Sequence, residues 1–136
     1  MYEVFDHTAD IGLRVRAASL EALFVEAARG LFSLIVVNPD DVRDVNEIAV
    51  RLQDDEPDYL LLDWLNELLF LFESRRVLLV EFDVKLDGDH LSATARGEVF
   101  DPKRHELDHE VKAITYHGLK VERDGDGWLA EVIVDI

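Results

Sequence analysis

The chain contains no cysteine. This excludes disulfides, thiol nucleophiles and cysteine-ligated zinc or iron–sulfur centres together. It agrees with a reducing compartment, so a cytoplasmic location is expected. Basic residues are scarce: 14 Lys and Arg stand against 30 Asp and Glu in 136 residues, a formal net charge of −16. Nucleic-acid binding rests on Lys and Arg displacing counterions from phosphates. Autonomous binding of RNA or DNA is therefore not expected, and a basic protein partner or bound cations fit better. Long apolar runs are also missing. The greasiest stretch, 59–72, is interrupted by Asp63, Asn66 and Glu67, too short and too charged to span a membrane. The opening MYEVFDHTAD lacks the basic and apolar regions of a signal peptide. No internal repeat or low-complexity segment stands out. There is no GxSxG serine elbow, no GxxxxGK[ST] phosphate loop and no HExxH zinc helix, which lowers the prior for an enzyme.

What is present is enough for a core. Hydrophobic residues make up 49% of the chain, so one domain over residues 1–136 is expected without disulfide or metal staples. Residues 1–6 and 11–17 read as strands, the second from Leu13 and Val15 alternating with Arg14 and Arg16. Between them His7-Thr8-Ala9-Asp10 forms a polar turn. Ser19 is a suitable N-cap for a helix over 19–35, where Leu20, Leu23, Phe24, Ala27, Leu31 and Leu34 recur at helical spacing. The polar stretch 38–44 is a loop, and 46–53 alternates as a strand.

Pro57 opens a second helix, preceded by Asp54, Asp55 and Glu56 and closed by Arg75 and Arg76, as the helix dipole favours. Its aromatic and leucine content marks it as the central packing helix. The second half reads as strands: one through Val80 to Leu86, a turn at Asp87-Gly88-Asp89, and a strand to about Val99. A polar loop over 102–109 leads to a strand over 111–122, and a turn at 124–127 leads to a last strand over 128–135. That strand is apolar on both faces, which places it inside a sheet. The fold class expected is α+β, two-layer, with a mostly antiparallel sheet and two main helices.

Three polar clusters could carry chemistry. His7, Thr8 and Asp10 sit in the first turn, where an Asp bonding nearby amides is the simpler explanation. Glu98, Asp101, Arg104 and His105 lie at the entry to the 102–109 loop; a local salt bridge and a partner-contacting surface explain them about equally. Lys112, Thr115, Tyr116 and His117 lie on a strand, with Thr115 and His117 on one face and Lys112, Ile114 and Tyr116 on the other. A lone strand histidine is more often structural than a ligand. The chain closes on Asp135 and Ile136 at the end of a strand expected to be buried. A terminus tied down there would offer its α-carboxylate beside the Asp135 side chain. Together with Asp10 this would be an all-oxygen cluster, which selects hard cations such as Ca²⁺, Mg²⁺ or Mn²⁺. Periodicity alone does not place Asp10 beside Asp135.

Four segments together carry a resemblance. HTADIGL over 7–13, WLNELLF over 64–70, EVKAITYH over 110–117 and VIVDI over 132–136 resemble the archease family in order, spacing and total length. The resemblance covers essentially the whole chain. It implies a small, non-catalytic accessory protein of the RNA ligase that joins tRNA halves in splicing, one that promotes the ligase's guanylylation and multiple turnover. It also implies a metal site at Asp10, Asp135 and Ile136, with calcium the metal usually attributed to it. His7, Glu98, Asp101, His105, Lys112 and His117 are the candidates for the surrounding contact surface. Two competing readings are weaker. In a small metal-dependent hydrolase or phosphotransferase, His7, Asp10, His117 and Asp135 would supply ligands and a base. A general RNA-binding chaperone is disfavoured by the net charge.

Overall fold

The computed structural model describes residues 1–7 and 10–136, with His7 described by its backbone alone. The chain opens with β1 (Tyr2–His7) and β2 (Asp10–Ala17), paired antiparallel. Helix α1 (Leu20–Ile35) follows, and Ser19 caps it as expected: its backbone is extended and its Oγ accepts the Ala22 N–H at 3.1 Å. After a short 3₁₀ turn (Pro39–Asp41) come β3 (Asn46–Gln53) and α2 (Pro57–Arg75). A hairpin of β4 (Val77–Asp87) and β5 (His90–Val99) leads through the loop to β6 (Ala113–Asp124) and β7 (Gly127–Asp135).

Every described strand pairing is antiparallel, and the α+β class holds. The strands divide between two sheets, ordered β1-β2-β7-β6 and β3-β5-β4. Both helices touch both sheets: α1 packs on β2 and β4, and α2 on β6, β3 and β4. This is why the buried positions of α1 cover more than half of its circumference. Central packing is thus shared between the helices, and α1 is the more enclosed of the two; Leu23, Phe24, Ala27, Ala28 and Leu31 are fully buried. The expectation that α2 alone would be central is corrected here, because its Tyr59 and Phe70 are exposed. The helices are locked together by Trp64, fully buried, whose indole N–H donates to the Phe24 carbonyl at 3.0 Å.

β7 lies inside its sheet, between β2 and β6, as its two apolar faces required. Val132 and Val134 point into the core, while Ile133 is buried on the opposite face, outside the main cluster. Among the described residues no helix is long and apolar enough to cross a membrane.

Candidate functional site

The outer face of the four-stranded sheet can be read in rows, because alternate residues on each strand share a face. One row is a charge ladder across all four strands: Glu3, Arg14, Glu131 and Lys120. Arg14 reaches Glu131 at 3.0 Å and Glu3 at 3.5 Å, and Lys120 reaches Glu131 at 3.2 Å. Burial alone would raise the Glu131 carboxyl, but the hydrogen bonds and charge of Lys120 and Arg14 hold it below its ordinary value. The next row is Phe5, Gly12, Ile133 and Thr115. Gly12 is required there by a close approach: any Cβ would fall inside the Phe5 ring. This supplies a steric reason for the glycine of HTADIGL.

The row beyond ends the sheet. β2 and β7 remain paired through Ile11 and Val134, so the next residues, Asp10 and Asp135, stand side by side on the outer face. Both are half-buried, as is Ile136, which packs partly against the core. The end of β7 is tied down by the Lys112 N–H, which donates to the Asp135 carbonyl at 2.8 Å. Like charges directly across a strand pair repel, and a cation between them would remove that repulsion. The donors that the family resemblance implies are the carboxylates of Asp10 and Asp135 and the α-carboxylate of Ile136. An all-oxygen set of this kind fits a hard divalent cation. Among the described residues no group of three or more His, Cys, Asp or Glu side chains could hold a metal.

Of the other residues singled out, Thr8 and the side chain of His7 lie outside the described residues. Lys112 precedes β6 instead of lying on it, and its side chain is exposed, as is that of His117. The simple alternation expected for 111–122 breaks at a bulge. The pairing of β6 with β7 shifts between Thr115 and Lys120, and Gly118 takes φ +72. The bulge sends Tyr116 out to stack on Tyr59 of α2, rings 5.4 Å apart and hydroxyls at 2.9 Å.

Glu98 and His105 turn inward, so their side chains are internal ties and not part of a contact surface. Glu98 Oε1 accepts from Arg104 Nη1 at 2.6 Å, from the Arg43 N–H at 2.9 Å and from His105 Nε2 at 2.9 Å. His105 Nδ1 accepts the Asp101 N–H, which fixes the proton on Nε2. Burial pushes the Glu98 carboxyl up, but the Arg43, Arg104 and His105 hydrogen bonds outweigh it and bring its pKa down to about 2. The local salt bridge expected for this loop is present, with Glu98 buried and Arg104 half-buried. Asp101 accepts the Lys103 N–H at the loop surface.

A small α+β protein of two antiparallel sheets, with a carboxylate pair at the shared end of β2 and β7, is the class that fold and site define. Residues 2–136 match the Archease protein family. Protein archease of Methanopyrus kandleri is 42% identical over 139 residues, covering 99% of both chains. That of Pyrococcus abyssi is 42% identical over 141 residues, covering 99% of this chain and 98% of its own. Among solved structures, the solution structure of Methanobacterium thermoautotrophicum protein 1598 aligns with a TM-score of 0.88 at 35% identity, covering 99% and 98% of the two chains. The crystal structure of a Thermotoga maritima protein, described as an archease and possible chaperone, aligns with a TM-score of 0.69 at 28% identity, covering 100% and 98%. The chain belongs to the archease family.

Proposed function

We propose that this chain is a non-catalytic accessory protein that activates the tRNA-splicing RNA ligase, promoting its guanylylation and multiple turnover in the cytoplasm. It does so through a divalent cation, calcium first and magnesium or manganese after it, held by Asp10, Asp135 and the α-carboxylate of Ile136. The observation that carries the reading is the adjacency of Asp10 and Asp135 at the end of paired strands. Family membership supports an accessory role, and the description of the Thermotoga maritima relative as a possible chaperone points the same way. A cation there would supply a fixed positive charge to an anionic group of the partner. The chain's own part is to hold that charge in place: β2 and β7 fix the two carboxylates, and the Lys112 backbone pins the strand end. A net charge of −16 favours a basic protein partner and steers the encounter in a salt-dependent way. Asp101, Lys112 and His117 are the contact candidates the fold leaves near the surface.

The test is ligase guanylylation with wild-type and Asp10→Ala protein. Loss of stimulation by a folded variant is expected. Full stimulation by it would remove Asp10 from the mechanism.

A further inference from the structure

Three aromatic side chains among the described residues are exposed, Tyr59 at 39%, Phe70 at 59% and Tyr116 at 57%, and they fall on one surface. Tyr59, Asp63, Asn66 and Phe70 follow helical spacing along the solvent side of α2. Tyr116 joins the stripe at its N-terminal end through the β6 bulge, its ring 4° from parallel with that of Tyr59. The stripe is about 16 Å long by helix rise. Exposed aromatic rings in such a row are an unusual expense for a free surface. The Tyr59–Tyr116 stack also fastens the bulge to α2, but no such duty falls on Phe70.

The surroundings say what would cover these rings. The Tyr59 phenol is pushed up first by its hydrogen bond with Tyr116, and then by its burial and the negative charge of Asp58 and Glu56. Asp63 is raised first by burial and then by Asp54. Carboxylates thus crowd the aromatic stripe closely enough to be felt. Guanidinium groups stack on aromatic faces and pair with carboxylates at once, and they do so better than ammonium groups. Phosphates would be repelled.

We propose that the aromatic stripe of Tyr59, Phe70 and Tyr116, flanked by the carboxylates of α2, is a docking surface for an arginine-bearing segment of a protein partner. The inference rests on the partner-binding half of the proposed function and not on the cation. The test uses the isotope-labelled full chain, titrated with a short peptide alternating arginine and glycine and with its lysine counterpart. Resonances of α2 and the bulge are expected to shift, with the arginine peptide bound more tightly. Tyr116→Ala should weaken arginine binding about threefold, the size expected for an exposed cation–π contact, while Tyr116→Phe retains it. Asp135→Asn should bind the peptide as wild type does, so failure of the cation reading leaves this one standing. Equal binding of both peptides with no effect of Tyr116→Ala would overturn the proposal. So would shifts confined to other surfaces, or displacement of the peptide by a single-stranded RNA oligomer bound at the stripe.

Discussion

Glu98 draws three donors onto one oxygen in a buried seam, whereas Asp10 and Asp135 bring two carboxylates together at the ends of neighbouring strands. The first arrangement is satisfied from within. Arg43, Arg104 and His105 meet the charge, and the result is a closed loop between β5 and β6. The second sets two acidic residues at a half-buried strand end, where the proposed function places a cation. Both regions are rich in Asp, Glu and His in the sequence. The distinction lies in what the fold sets beside each carboxylate: donors converging on one oxygen in the first, an acidic residue on the neighbouring strand in the second. A carboxylate ringed by donors holds structure; the strand-end pair is the one to which the proposed function gives a binding role.

The largest expected effect breaks the first member of this comparison. Glu98→Ala leaves the buried His105 Nε2–H without its acceptor and the Arg104 guanidinium with the Asp41 carbonyl. Stranding a buried donor and breaking a half-buried charged hydrogen bond costs about 3 kcal/mol, measurable by denaturant unfolding. Next is the cation. Calcium at about a hundredfold over its dissociation constant should stabilise the wild type by about 2.7 kcal/mol, and Asp135→Asn should lose that gain. Unchanged melting of the wild type on adding calcium would argue against the site.

Acid comes third. The Glu98 pKa lies near 2 in the folded chain against an ordinary 4.5. The stability it contributes is present above pH 4.5 and is lost as pH falls toward 2. At about 1.4 kcal/mol per pKa unit this is some 3 kcal/mol, and solvent around the partly exposed Arg104 screens it to roughly 2 kcal/mol. Glu98→Gln should flatten this part of the pH profile. The smallest effect is at the strand ends. With calcium chelated, Asp135→Asn should change stability by only a few tenths of a kcal/mol, and a large loss would show that the Asp135 side chain acts as a structural tie.

Much of the fold was legible because local patterns decide local structure. Ser19 and the spacing from Leu20 to Leu34 located α1, Pro57 located the start of α2, and alternation bounded β3 to the residue. The two apolar faces of β7 placed it inside a sheet. The split into two sheets was not legible, since it depends on which distant strands pair. Nor was the bulge, where Gly118 leaves the strand conformation without a break in polarity. Glu98 and His105 resembled surface residues because sequence shows charge and not its neighbours. Asp10 and Asp135 were candidates from the first turn and the last strand, the family resemblance joined them into one site, and the pairing of β2 with β7 sets them on neighbouring strands.

That pairing also orders events in time. Leu13 of β2 pairs with Val132 of β7, so the centre of the four-stranded sheet joins the two extremes of the chain, whereas β4 and β5 meet across a tight turn. Closing so long a loop costs more entropy and comes more slowly than zipping a hairpin. During synthesis the three-stranded sheet can form while β2 still waits for its neighbour. Asp10 and Asp135 meet only when β7 docks between β2 and β6, so their encounter comes late in the folding of this domain.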